Sequence, residues 1–358
     1  MPVHGNGKLK VMVVGEAPGE TEDEANRPFI GNAGVFLRET LEEFDIDLDR
    51  DAWTTNALIC RPPNNATPDA KQISYCRPNL LNAIQLYEPR VIVTLGRVAL
   101  SSVLADSWDD VGQMQRWTGW RIPLPKHWVC PTYHPSFLLR MKNGLMDRLF
   151  AQDLKRAFRI DRDPPPARDF ASKIEVLYDD DEIYEAIRDI DRCGGWAAID
   201  YEGNCLKPEY PKALIRSCAI SNGERTISYP WIGRAIEATG KFLRSQRTRK
   251  IASNLKFEER WTRKFFGHGV TNWGWDTMLA AHCLDNREGI TSLKFQALVK
   301  LGVASYNDNI EPYLVSKDLH YNRIEEIEVG TLLFYGGMDA FLEHRLAMRQ
   351  RKEMDYAD

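Results

Sequence analysis

The chain has 358 residues, more than one ordinary domain holds, so two domains are expected. With 43% hydrophobic and 27% charged residues it can bury sizeable cores, which excludes a disordered chain, and its net charge of −4 excludes a generally sticky nucleic-acid binder. No apolar run approaches the roughly eighteen residues of a membrane span, and the start, MPVHGNGKLK, lacks the apolar core of a signal peptide. Seven cysteines, an odd count without a CxxC pair, fit a reduced cytoplasmic protein rather than a disulfide scaffold.

In chain order, the first 158 residues alternate strand and helix. KVMVV (10–14), AWTTNAL (52–58), RVIVTLG (90–96) and HWVCPTY (127–133) read as strands. Between the first two, AGVFLRETLEEF reads as a helix with Phe36, Leu37, Leu41 and Phe44 on one face. That alternation predicts a mostly parallel sheet covered on both sides, with ligands beyond the carboxyl ends of its strands. Four segments stand at such ends: GEAPG, TTNALICRPP, LGRVAL and YHPSFLLR. GEAPG is followed by no GK[ST] and is not a GxGxxG fingerprint. Instead Pro18 and Gly19 predict a fixed turn whose amides approach a ligand, with Glu16 projecting into the same space.

GEAPGETED…RPFIGNAG, TNALICRPPNN and HPSFLLR, in that order, resemble the uracil-DNA glycosylase superfamily, and its iron–sulphur branch most closely, over roughly residues 10–158. The resemblance implies a flipped base held between an aromatic face and polar edge-readers. Phe29 would stack on uracil, and the Asn56 amide would read its N3–O4 edge. His134 would donate to O2 as the glycosidic bond breaks. Glu16 would position water and stabilise the cationic sugar, while the Ala17 amide would meet the base. Glu22 would fill the space that thymine's methyl group needs, and Leu138 would be the apolar wedge entering the duplex. One departure concerns the family's [4Fe–4S] cluster. Cys60 and Cys76 match the last two of its four cysteines, the segment carrying the first two is not in this sequence, and Cys130 is a poor substitute. Two thiolates do not hold a four-iron cluster, so no cluster is expected.

Residues 161–171, DRDPPPARDFA, read as a stiff linker. Beyond it IEVLYD, WAAIDYE and TISYPWI read as strands, followed by long helical stretches up to residue 352. Residues 211–275 carry 13 basic against 4 acidic side chains. WAAIDYEGN places Asp200 and Glu202 two apart on a strand, so both carboxylates face one side. ASNLKFEER is expected to put Asn254 and Glu258 on one helical face, and LLFYGGMDAF puts Tyr335 and Asp339 four apart on a helix.

Taken together these segments resemble, over roughly residues 172–350, the 3′–5′ proofreading exonuclease domain of the DNA polymerase I family, a DEDD nuclease of the tyrosine subtype. That implies a ribonuclease H-like fold and two Mg²⁺ or Mn²⁺ ions about 3.5–4 Å apart. Asp200 would bridge both ions, Glu202 and Asp339 would complete the first site, and Glu258 would reach the second through water. The family has aspartate where this chain has Glu258, and the extra methylene displaces the second ion or its shell. Tyr335 would orient the attacking water, and Asn254 and Phe257 would bind the 3′ end. The basic stretch, with Trp231, Phe257 and Trp261, would hold the entering single strand.

The expectation is therefore an α/β protein of two domains. A parallel-sheet α/β/α glycosylase-like domain covers residues 1–160, the linker 161–171, and a ribonuclease H-like exonuclease domain 172–358. Its function would combine uracil excision with metal-dependent 3′–5′ proofreading in phage or bacterial DNA replication. The alternative is a proofreading exonuclease subunit, partnering a separate polymerase, whose first domain only binds DNA or senses uracil. Expected partners are single-stranded 3′ ends, uracil-containing DNA and a separate family A polymerase, in the bacterial (or host) cytoplasm, without a membrane.

Overall fold

The computed structural model describes residues 1–166, 169–306, 308–316 and 320–356. Two compact units form, residues 1–167 with 298–304, and residues 168–297 with 305–358. Of the sequence-defined linker, residues 167 and 168 lie outside the described residues.

The first unit runs β1 (Val11–Gly15), α1 (Glu20–Ala25), α2 (Asn32–Glu42), α3 (Leu48–Asp51), β2 (Ala52–Asn56), α4 (Ala70–Tyr87), β3 (Val91–Leu95), α5 (Gly96–Leu104), β4 (Ile122–Pro123), β5 (Trp128–Thr132), α6 (Pro135–Met141) and α7 (Gly144–Phe158). Its sheet has the order β2-β1-β3-β5-β4, parallel except for the short β4. All five residues of β1 are buried, as expected of a central strand covered on both faces. Val11 and Val13 pack with Leu37 and Leu41 of α2 and Phe150 and Leu154 of α7. Met12 and Val14 face the other way, onto Leu80 and Ile84 of α4 and Ala99 of α5.

Residues 298–304 belong to this first unit although they lie late in the sequence. Leu298 and Val299 are buried, and the Lys300 ammonium stands 5.5 Å from the Trp120 ring. Gly302 has φ +72° and lies against the Pro123 carbonyl, where a Cβ would come within 1.9 Å of the oxygen. Only glycine combines that backbone region with so close an approach.

The second unit runs β6 (Ile174–Val176), α8 (Asp180–Cys193), β7 (Gly195–Gly203), β8 (Ile215–Ser221), β9 (Thr226–Pro230), α9 (Gly233–Arg244), β10 (Thr248–Ala252), α10 (Lys256–Phe266), β11 (Trp273–Asp276), α11 (Thr277–Leu284), α12 (Leu293–Gln296), α13 (Glu311–Leu314) and α14 (Val329–Glu353). The sheet order is β11-β10-β7-β8-β9-β6. β7, β8 and β9 form an antiparallel meander, while β10 and β11 add parallel to the other side of β7. A meander continued by two parallel strands is the ribonuclease H-like arrangement. Ala197, Ile199 and Tyr201 of β7 join the core with α8 and α9. Because side chains alternate along a strand, Asp200 and Glu202 point to the opposite face, where α14 lies.

Three strands stand where the sequence reading placed helices or nothing. β8, β10 and β11 carry charged or polar residues between apolar ones, and β11 has only four residues, so no run of β-formers marks them. β10 also corrects the reading of the basic stretch. Lys250 is fully buried, and its ammonium donates to the Ser245 carbonyl and lies 5.0 Å from the Phe242 ring.

Candidate active sites

In the first unit Gly15 ends β1 in register with Asn56, which ends β2. A Cβ on Gly15 would lie 2.4 Å from Asn56 Oδ1 and 2.8 Å from Phe29 Cζ, so the glycine is what lets amide and ring meet. Phe29 is buried and adopts φ +58°, a region costing an ordinary residue about 1–2 kcal/mol. Gly34, which has no room for a Cβ against the Phe29 backbone, and Arg38, which donates to the Phe29 carbonyl at 3.2 Å, hold it there. Phe29 and Asn56 border a cavity of about 440 Å³ whose lining also includes Glu16, Ala17, Glu22 and His134. Six of the seven residues singled out in this half therefore converge.

His134 precedes Pro135 and caps α6. Its Nδ1 accepts from the Ser136 N–H at 3.2 Å, so a neutral ring carries its proton on Nε2 and keeps a donor free. Desolvation, reinforced by the Arg140 charge, pushes its pKa down to about 4. The imidazole is thus neutral at physiological pH. Glu16 is shifted the other way, its pKa raised by burial against the opposing pull of Arg97 and Arg140. Glu22 commits one oxygen to the Gly19 N–H at 2.8 Å, bracing the GEAPG turn as well as lining the cavity. Ser136 and Arg140 are lining residues that the sequence reading did not single out, although both lie within HPSFLLR.

Leu138 does not fit the wedge assigned to it. It is 1% exposed and packs in the core beneath α6, because the helix turns that position towards the sheet. The neighbouring Leu139 is 40% exposed. Cys60 is exposed after β2 and Cys76 is half-buried in α4, and no third metal-ligating side chain gathers with them among the described residues. Burial pushes the Cys130 thiol up to about 12, away from the thiolate a metal needs.

In the second unit Asp200 and Glu202 on β7 meet Asp339 on α14, with one carboxylate oxygen from each within 4.8 Å of the others. Gly336 faces the same carboxylates, where a Cβ would make only ordinary contact with Glu202 Cγ at 3.4 Å and lie 3.7 Å from Asp200 Oδ2. Tyr335 is buried beside the cluster. Lys294, from α12, donates to Asp339 Oδ2 at 2.5 Å and to the Tyr335 hydroxyl at 3.0 Å, and the Tyr306 hydroxyl also donates to Asp339. The sequence reading gave neither Lys294 nor Tyr306 a role. Desolvation, then the charge of Asp339, pushes Asp200 up to about 7. Glu202 is raised well above its ordinary value by burial first, then by the charges of Asp200 and Asp339.

Glu258 lies in the first turn of α10, 2% exposed, outside the close trio. Its Oε2 and the Oδ2 of Asp200 are buried without a hydrogen-bond partner. Converging carboxylates with orphaned oxygens fit a hard divalent cation, which oxygen ligands hold. Asn254 corrects its prediction. It sits before α10 with φ +66° rather than on the Glu258 face of the helix, and its N–H donates to Asp276 at 3.1 Å. The Asp276 carboxylate also caps α11, a structural task that leaves it no place in the acidic trio. Phe257 is half-buried against Trp261 at 6.1 Å. Trp261 is fully buried and Trp231 is 7% exposed, both in the core, so neither offers a face to an entering strand.

Residues 2–158 match the uracil DNA glycosylase superfamily. A type-4 uracil-DNA glycosylase of Thermotoga maritima is 37% identical over 157 residues, covering 43% of this chain and 78% of that protein. A DNA polymerase of Bacillus phage SP01 is 23% identical over 346 residues, covering 87% of this chain and 36% of the polymerase. Among solved structures, RNase D of Escherichia coli, an exoribonuclease involved in structured RNA processing, aligns at a TM-score of 0.38 and 14% identity, over 51% of this chain and 45% of that one.

Proposed function

We propose a function from one premise: through residues 2–158 this chain belongs to the uracil DNA glycosylase superfamily. The first unit excises uracil from DNA, and the second removes nucleotides from DNA 3′ ends with divalent cations. The observation carrying the first half is the convergence of Glu16, Phe29, Asn56 and His134 on one cavity. An extruded uracil stacks on Phe29 and pairs its N3–O4 edge with the Asn56 amide. The neutral His134 donates from Nε2 to O2 as negative charge develops there, so no proton has to be lost from an imidazolium first. The Ala17 amide meets the base, Glu16 in its ionised form orients water and faces the cationic sugar, and Glu22 keeps out a C5 methyl group.

In the second unit Asp200, Glu202 and Asp339, with Glu258 behind them, would hold two Mg²⁺ or Mn²⁺ ions, which supply activation of water and stabilisation of the departing 3′ oxygen. Tyr335 orients the attacking water. Lys294, whose ammonium bridges Tyr335 and Asp339, keeps the phenol beside the carboxylates. Asn254 and Phe257, on the segment entering α10, contact the 3′ nucleotide. The similarity to part of a phage DNA polymerase supports DNA copying as the setting, and the proposal extends to proofreading with a separate family A polymerase as partner, in the cytoplasm.

A paired assay tests the reading. Wild type is expected to leave alkali-labile breaks at uracil and to release nucleotides from 3′ ends with Mn²⁺. Asn56→Ala should lose the first activity alone, and Asp200→Ala the second alone. Uracil binding without breaks would demote the first unit to a recognition module; loss of both activities in either variant would sink the assignment of separate sites.

A further inference from the structure

α14 carries more acid than the reaction assigned to it uses. Gly336, Asp339, Glu343 and Ala347 recur at intervals of three or four and so share one face of the helix. Both ends of that stripe are anchored on β7. Gly336 lies against Asp200 and Glu202, and Ala347 packs with Ala198. Glu343, between them, is thereby turned towards the β7 face that bears Asp200. It is 2% exposed, and its Oε2 is buried without a partner. Glu258 matches it on both counts.

We propose that Glu343 is a further cation-holding carboxylate, sharing with Glu258 and Asp200 a second cation position distinct from the one formed by Asp200, Glu202 and Asp339. The inference rests on the cation-dependent reading given above. Three orphaned oxygens, Asp200 Oδ2, Glu258 Oε2 and Glu343 Oε2, supply the donor set. They do not draw within the 4.8 Å that unites the first trio, so the ion is held through its water shell, as small divalent cations commonly are. Asp200, Glu258 and Asp339 act electrostatically on Glu343 in that order after burial, with Lys294 as the opposing cation. Five acids facing one ammonium is a charge excess that buried groups do not sustain without counter-ions or protons. Glu343 would also let the longer Glu258 side chain serve, by adding a second carboxylate to the same position.

The test is Mn²⁺ titration of the full chain, followed by the electron paramagnetic resonance signal of the free ion. Wild type is expected to bind two Mn²⁺ ions. Glu343→Gln, nearly isosteric, should keep the first and weaken the second by about 10–100-fold, the range for groups that hold a metal through others. Glu258→Gln should do the same. Uracil excision should be unchanged in both. Should Glu343→Gln fail to fold, Glu343→Asp replaces it and should also weaken the second ion. Two Mn²⁺ bound by either Glu343 variant within twofold of wild type would show Glu343 to be a neutral packing group and overturn the proposal. No Mn²⁺ bound by wild type would instead overturn the cation-dependent reading itself, and this inference with it.

Discussion

His134 shows how a single residue's surroundings set its chemistry. An ordinary imidazole titrates near 6.5, whereas burial takes this one to about 4, and the Ser136 amide decides which nitrogen keeps the proton. Excision is therefore expected to hold as the pH falls through 6.5, and to decline only where Glu16 gains its proton. A sigmoidal loss of kcat as the pH rises through 6.5 would show that His134 works as a cation and would refute the mechanism. His134→Ala should lower kcat by about 10²–10³, the usual cost of one oxyanion donor. The sign for folding follows from the same shift. The folded state binds fewer protons than the unfolded chain below 6.5, so His134 withdraws stability as the pH drops from 6.5 towards 4. Asn56 and His134 were legible in the sequence because each stands in a motif at the end of a strand, and Phe29 because RPFIG breaks the helical pattern between α1 and α2. Leu138 was misread for a physical reason. One turn of helix decides whether a leucine meets the sheet or the solvent, and HPSFLLR does not state that rotation.

At the scale of the element, α14 brings its acids to β7 through two adjacent glycines with different jobs. A Cβ on Gly337 would come within 2.4 Å of Ile174 Cγ2, whereas one on Gly336 would find nothing nearer than 3.4 Å, an ordinary contact. Gly337→Ala should thus destabilise the protein by about 1–3 kcal/mol through overpacking. Gly336→Ala should be neutral or stabilising by up to about 1 kcal/mol, since alanine favours helix. Thermal melts of the two variants check the contrast, and equal shifts would contradict the close approach of helix and sheet. The helix itself was legible through the spacing of Tyr335 and Asp339. What lay opposite it was less so. Lys294 and Tyr306 reach Asp339 from segments distant in sequence, and β10 announces itself only through β7 and β11, each separated from it by a helix. Long-range pairing, unlike helical spacing, leaves no local mark.

For the whole molecule, the proposed pairing of a uracil cavity with a nuclease site in one chain would raise the concentration of each activity near the other's substrate. Placing both beside a polymerase extends that logic, and gel filtration checks it: the chain should co-elute with a family A polymerase lacking its own exonuclease domain, and separate elution at micromolar concentrations would count against the partnership. The two-part plan was legible in the prolines near residue 165, and the charge excess of the second site in WAAIDYE and GGMDAF. Residues 298–304 were not. Gly302 seats against Pro123 from the far side of the linker, so the first unit is not a bead that can be snipped from its string at the prolines. A gene broken there would deliver a protein with a bare notch beside Trp120 and Pro123, and recombination that shuffled the halves would have to carry a short downstream stretch along or evolve a plug for the gap.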